Sequence, residues 1–204
     1  MRRPLLFRVL PGRLSDSVFY RWYNPAPRRW HPLFQAAELR YVRGVHMRLV
    51  PADVLHGCIA FTGVYERRLS KRVVSLARAG GLMIDVGANA GYFSLLWAAV
   101  NRRNEVIAFE PSPRDVELFK HNIEVNGFTD RTCLHTWAAG RQGGKLEFTL
   151  GPAEQTGWGG FASESTEDTI TVDVRRVDAV VGPEVQVSCL KVDTEGADTW
   201  VLMG

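Results

Sequence analysis

Three carboxylates, Asp85, Glu110 and Asp193, each close a short apolar run. The first is followed by a glycine-rich turn, Gly87-Ala88-Asn89-Ala90-Gly91, and then by Tyr92. Glycines so placed let the chain turn sharply and let a ligand approach the backbone. The first N–H groups of a helix behind such a turn favour anionic or polar ligand groups. The spacing departs from the dinucleotide pattern G-x-G-x-x-G, and no Gly-Lys-Ser/Thr follows to make a Walker-type phosphate loop. Asp85 would repel a pyrophosphate, whereas it suits a ligand with a cationic end. S-adenosyl-L-methionine has one, in its sulfonium and α-ammonium groups. Glu110 stands a little over twenty residues beyond Gly87, where a carboxylate can accept hydrogen bonds from both hydroxyls of a ribose.

The elements that must position these groups alternate strand and helix. Residues 82–86 read as a buried strand, 93–100 as a helix, 104–110 as a second strand and 115–126 as the next helix. Pro111 and Pro113 end the second strand. Residues 132–139 read as a third strand with small residues such as Ala138 at its end, and 185–193 as a fourth. Between them, residues 143–150 and 169–174 alternate like half-exposed strands and are expected to pair as a β-insertion over about 143–176. The pattern is that of an α/β, Rossmann-like, doubly wound sheet. In such sheets ligands sit beyond the carboxyl ends of the strands, where Asp85, Glu110, Ala138 and Asp193 all fall.

Three blocks carry a resemblance. Ile84-Asp85-Val86-Gly87-Ala88-Asn89-Ala90-Gly91-Tyr92, Phe109-Glu110-Pro111 and Lys191-Val192-Asp193-Thr194-Glu195-Gly196-Ala197-Asp198 resemble the signature blocks of FkbM-type methyltransferases, from about Tyr65 to the C-terminus. The third block is the most distinctive; Asp198 departs from the Glu usual there. The resemblance implies a class I methyltransferase fold with sheet order 3-2-1-4-5-7-6, S-adenosyl-L-methionine as cofactor, and hydroxyls of sugars, glycans or secondary metabolites as acceptors. It implies a cofactor site made of Asp85, Gly87, Ala88, Asn89, Gly91, Tyr92, Glu110, Pro111, Ala138 and Tyr65. Tyr65, in Gly63-Val64-Tyr65-Glu66, would help to close over the cofactor; as a bare residue it reads equally as a core aromatic. Asp193 and Glu195 are placed to orient or deprotonate an acceptor, with Lys191 stabilising the alkoxide. The competing reading has the same block cap a helix and bind the methionine ammonium. No third ligand accompanies Asp193 and Glu195, so no metal is expected.

With 204 residues, 46% of them hydrophobic and 23% charged, the composition is that of one ordinary globular domain. Cys58, Cys133 and Cys189 are odd in number and sit in apolar strand-like runs, which predicts buried, reduced thiols in a cytoplasmic protein. No window reaches the roughly 18 apolar residues of a membrane span, and Arg8 and Pro11 interrupt what might pass for a signal peptide.

The net charge of +3 conceals a division. Residues 1–50 hold ten arginines against Asp16 and Glu38, a balance of +8, which leaves −5 for the rest. Residues 1–63 form a basic, aromatic-rich extension, and 64–204 the cofactor-binding domain. Within the extension, 34–41 reads as a short helix, and 45–50 and 58–61 as strands; residues 64–78 beyond it read as a helix. The favoured reading of residues 1–32 is a cap whose aromatics pack inward. Weak contact with an anionic membrane surface is the second reading, and nucleic acid, which is not expected as a partner, the last. Gly157-Trp158-Gly159-Gly160-Phe161 reads as an acceptor lid or as a plug for the core.

The chain stops soon after the fourth strand. The expectation is a truncated sheet whose fourth strand is an exposed edge. Two other functions stay open: a catalytically inactive cofactor-binding module, and a nicotinamide-dependent oxidoreductase, for which Asp85 is the wrong chemistry. Oligomeric state is not readable.

Overall fold

The computed structural model describes residues 1–152, 160–161 and 169–204. Trp158, the centre of the expected lid or plug, lies outside those residues. The chain opens with helices α1 (Leu5–Val9) and α2 (Gly12–Trp22), a 3-10 turn over Arg28–Gln35, and an antiparallel ribbon of β1 (Ala37–Glu38) and β2 (His46–Met47). Helices α3 (Val54–Thr62) and α4 (Arg67–Ala77) follow.

This first third departs most from the sequence reading. The expected helix over 34–41 is instead the end of the 3-10 turn, which contains Pro32, and the ribbon. Leu49 N–H donates to Phe34 O and Leu39 N–H to Val45 O, so these backbone groups serve long-range partners instead of a helical ladder. The expected strand over 45–50 shortens to two residues. The expected strand at 58–61 is helix α3. Asp53 caps α3 by accepting from His56 N–H at 2.8 Å, and Gly63 ends it in the left-handed conformation. Nearly every side of α3 is buried, so its apolar run carried no helical period to distinguish it from a strand.

Phe61 on α3 ties the extension down. Its ring lies 5.4 Å from Phe7, 5.6 Å from Phe19, 4.9 Å from Tyr23 and 6.0 Å from Trp30. Gly57, one turn earlier, lets α2 come close: a Cβ there would stand 2.8 Å from the Phe19 ring. Asp16 on α2 pairs with Arg67 on α4 at 2.7 Å. The inward-packing cap is therefore observed, and its residues belong to the same core cluster as Met83, Trp97 and Phe119.

The central sheet is parallel. Its strands are β3 (Gly81–Val86), β4 (Asn104–Phe109), β5 (Thr132–His135) and, far along the chain, β10 (Val187–Val192), in the order β10-β3-β4-β5. That is the expected 3-2-1-4 arrangement, with β3 central and apolar on both faces. Helix α5 (Tyr92–Val100) packs on β3 and β4, and Trp97 donates Nε1–H to Gly81 O at 3.0 Å. Helix α6 (Pro113–Val125) follows β4. Among the described residues β10 is the outermost strand beside β3, with Val187 and Leu190 exposed, and it leads into α7 (Asp198–Leu202).

The expected strand over 132–139 breaks in two. Trp137 is buried against Phe109, with ring centroids 4.7 Å apart. The chain thus leaves the parallel sheet, and β6 (Ala138–Ala139) joins a second one. There β7 (Gly144–Thr149) pairs antiparallel with β9 (Thr169–Arg175), the hairpin expected of the insertion, and β8 (Gly160–Phe161) pairs with β7. The cysteines also differ from expectation: only Cys58 is buried, Cys189 is half-buried and Cys133 exposed. Among the described residues no helix is long and apolar enough to cross a membrane.

Truncating Phe61 to alanine empties the centre of the aromatic cluster and should cost about 3–5 kcal/mol. Urea unfolding followed by circular dichroism checks this. A loss under ~1 kcal/mol would mean that the extension is not packed as described.

Candidate functional site

A cavity opens at the carboxyl ends of β3, β4 and β10, with about 970 Å³ of atom-free space, part of it open to solvent. Its floor is the turn after β3. Gly87, Asn89 and Gly91 all have positive φ, at 71°, 48° and 90°. Gly87 has no substitute: a Cβ would stand 1.9 Å from Asp193 O. A Cβ on Gly91 would meet the Phe119 ring of α6 at 2.9 Å. Asn89 adopts the left-handed conformation without glycine's freedom and is held by its bonds. Its N–H donates to Glu110 Oε2 at 2.8 Å, and its Oδ1 accepts from Ala90 N–H at 2.6 Å.

Glu110 stands at the end of β4 and is 6% exposed. Its Oε1 accepts from Ser112 N–H at 2.9 Å. Each carboxylate oxygen thus has one backbone donor and retains acceptor capacity. Burial, with the neighbouring Asp115 carboxylate, pushes the Glu110 pKa up to about 7. Asp115 lines the same cavity, is 2% exposed, and its Oδ1 has no hydrogen-bond partner among the described residues. Burial raises its pKa as well.

His56 reaches the cavity from α3. Val50 N–H donates to its Nδ1 at 3.1 Å, so the ring proton sits on Nε2 and is given to Asn89 Oδ1 at 3.2 Å. His56, Ser112 and Asp115 were all missed in the sequence. The available signal was Asp53, three residues before His56 and ahead of an apolar run, which is a helix N-cap pattern.

Asp85 does not line the cavity. It is fully buried behind it, where Ser94 Oγ–H donates to Oδ2 at 2.7 Å and Lys191 Nζ lies 3.2 Å from Oδ1. The expectation that Asp85 meets a ligand's cationic end gives way to an internal ion pair. Lys191 is equally committed: Nζ donates to Gly87 O at 2.7 Å and Val86 O at 3.3 Å. Lys191 also lines the cavity, with Asp193 Oδ2 3.9 Å from its Nζ.

The remaining expected residues come together at the cavity. Ala88, Tyr92, Pro111, Ala138, Asp193, Glu195 and half-buried Tyr65 all line it with the turn. Tyr65 meets the rings of Tyr92 and Phe93, each at 6.2 Å, so it is wall and core at once. Asp193 and Glu195 are exposed at the mouth. Partial burial and Asp193 raise the pKa of Glu195, and the same two causes act on Glu66. Glu66 and Glu195 also hold positive φ, at 40° and 49°. Asp198 accepts from Thr194 N–H at 2.8 Å and Thr194 Oγ at 2.7 Å, so it braces the turn. Among the described residues no group of His, Cys, Asp and Glu could hold a metal ion.

The methyltransferase FkbM domain matches residues 85–204, over half of the sequence. The chain belongs to that family. Family membership makes S-adenosyl-L-methionine the cofactor. Methyltransferase 1 of Beauveria bassiana is 27% identical over 143 residues, 60% of this chain and 57% of that protein. The tRNA wybutosine-synthesizing protein 2 homolog of Homo sapiens is 34% identical over 83 residues, 41% of this chain and 18% of that protein. The FkbM chain thus spans little more than half of the one relative and a small part of the other. A SAM-dependent methyltransferase of Agrobacterium tumefaciens, at 15% identity, superposes over 50% of this chain and 31% of its own with a TM-score of 0.37.

The residues of this FkbM domain fit the cofactor. Glu110 retains acceptor capacity of the kind a pair of ribose hydroxyls would use, and Asp115 presents to the same cavity an oxygen without a hydrogen-bond partner among the described residues.

Two outcomes follow. Replacing Lys191 by methionine strands the Asp85 carboxylate and should cost about 3–5 kcal/mol in urea unfolding, part of which Asp85→Asn in the same chain restores. Glu110 should make the ligand-free protein less stable as pH rises. Its folded pKa of about 7 lies above the ordinary 4.5, so its stabilisation is complete below 4.5 and is lost as pH climbs through 7. The loss is on the order of 3 kcal/mol, read as the difference in pH profile between the wild type and Glu110→Gln.

Proposed function

We propose that this chain transfers the methyl group of S-adenosyl-L-methionine to a hydroxyl of a sugar, glycan or secondary metabolite. The observation that carries the acceptor half is the carboxylate-rimmed mouth, where Asp193 and Glu195 face the open side of the cofactor cavity. When bound, the cofactor supplies an electrophilic methyl group. The turn at Gly87 and the Glu110 carboxylate fix its ribose, and alignment of this kind can contribute roughly 7–11 kcal/mol.

Glu195 takes the acceptor's hydroxyl proton. Its raised pKa moves a carboxylate towards the operating pH, which favours general-base work. Asp193 orients the acceptor, and its charge helps to keep the Glu195 pKa high. Lys191 is a positioning residue that holds the turn against β10. The cysteines carry no disulfide, which supports a reducing, cytoplasmic setting.

A second reading, with tRNA as acceptor, is favoured by the identity with a relative whose name specifies a tRNA-modifying activity. One experiment separates these. Calorimetric titration of the chain with S-adenosyl-L-methionine and S-adenosylhomocysteine should show binding that Glu110→Ala weakens. Transfer of labelled methyl is then measured on sugar and polyketide hydroxyls and on tRNA. Activity on hydroxyls should rise with pH along an acid limb that Glu195→Gln abolishes, with a loss of about 10²–10⁴ in rate. An unchanged rate would remove Glu195 as base, methylated tRNA alone would establish the second reading, and binding without any turnover would leave a cofactor-binding module.

A further inference from the structure

The extension has a second set of apolar residues that the cap does not use. Phe7, Phe19, Tyr23 and Trp30 turn inward, yet Leu5, Leu6, Val9, Leu14 and Trp22 remain 43–73% exposed on α1 and α2. Leu14, Val18 and Trp22 repeat every four residues along one side of α2. That side meets α1: Leu6, Val18, Trp22, Tyr23 and Arg29 border a single groove. Exposed Leu6 of α1 and Trp22 of α2 thus share one surface, and Leu14 lies on the same side of α2.

The charge around this surface has one sign. Of the seven arginines in residues 1–30, Arg3 is turned inward, donating to Ala60 O at 2.8 Å. The other six, Arg2, Arg8, Arg13, Arg21, Arg28 and Arg29, are exposed, and none has an ion pair among the described residues. The one acid of the segment, Asp16, is engaged by Arg67. Unneutralised arginines beside an apolar surface match a boundary that is anionic outside and hydrocarbon beneath. Nucleic acid would use the arginines and an aromatic platform but has no use for exposed leucine and valine tips.

We propose that α1 and α2 dock this protein on an anionic membrane surface, with Leu6, Leu14 and Trp22 entering the headgroup boundary and the arginines meeting lipid phosphates and carboxylates. The contact is interfacial and independent of the methyl-transfer reading. It also gives the extension a purpose beyond capping, since the helix beneath it, α3, supplies His56 to the cavity.

Co-sedimentation of the full chain with phosphatidylcholine vesicles, with and without phosphatidylserine, tests this. Binding is expected only to the anionic vesicles and should fall as salt rises. It should fall roughly fivefold for each arginine removed in Arg8→Ala, Arg13→Ala and Arg21→Ala. It should also fall in Leu6→Ser/Trp22→Ser, whose exposed positions leave folding intact by circular dichroism. Absence of sedimentation with either vesicle overturns the proposal. Insensitivity to Leu6→Ser/Trp22→Ser overturns it in favour of plain charge adsorption. Binding to single-stranded RNA, or self-association abolished by the same substitutions, without vesicle binding, would assign the surface to those partners instead.

Discussion

The buried pair of Asp85 and Lys191 is the constraint on which the site depends. Its members come from strands more than a hundred residues apart, paired in register in the parallel sheet. A buried ion pair is costly to form, and this one is offset by Ser94 on the carboxylate and by two backbone carbonyls on the ammonium. Lys191 reaches past Asp85 to two carbonyls of the turn, and Asp85 reaches Ser94 in the first turn of α5. One interaction thereby fixes the end of β3, the glycine turn, the start of α5 and the end of β10. The bare backbone at Gly87 has the same origin, since Asp193 O occupies the space a side chain would need.

Once those elements are fixed, the cavity acquires its electrostatic character by default. Glu110 and Asp115 are buried near each other, Asp193 and Glu195 stand at the mouth, and Glu66 is close enough to Asp193 to feel its charge. Lys191, which also lines the cavity, is engaged by Asp85 and by the carbonyls of Val86 and Gly87. The pKa values of Glu66, Glu110, Asp115 and Glu195 rise because burial and neighbouring carboxylates outweigh the few favourable contacts they receive. Such a site suits a ligand that brings hydroxyl donors and positive charge. Among the described residues the non-glycine positions with positive φ are Glu66, Asn89 and Glu195; Asn89 and Glu195 line the cavity and Glu66 follows Tyr65, which does too, so backbone strain and charge repulsion meet in one region.

The legible parts of the sequence were those with short-range causes. The strand, turn and helix around Gly87 announced themselves because the apolar run, the glycines and the following helix are contiguous. The place of β10 beside β3 followed from the sheet order that the resemblance implied. What failed depended on distant partners. Helix α3 is buried on nearly all sides, so its periodicity vanished and it resembled a strand. Thr132 to Ala139 looked continuous because nothing local shows that Trp137 will be drawn against Phe109 and send the chain into another sheet. Asp85 was correctly placed at a strand end, but its partner lies on β10, and a ligand seemed the nearer source of positive charge. His56 belongs to a helix that had not been recognised, so its approach to the turn was invisible.

The N-terminal extension and the cofactor turn are therefore one mechanical unit. Asn89 sits at a φ that a non-glycine residue holds only under restraint. Among the described residues, Ala90 and Glu110 restrain it from within the site. His56 restrains it from outside, with a tautomer set by Val50 and a helix anchored at its other end by Phe61 in the aromatic cluster of the extension. A change in how α1 and α2 pack on Phe61 has a direct route, one helix long, to the backbone that shapes the cavity floor. The basic, aromatic segment that looked separable in sequence thus supplies one of the bonds that make the binding turn rigid.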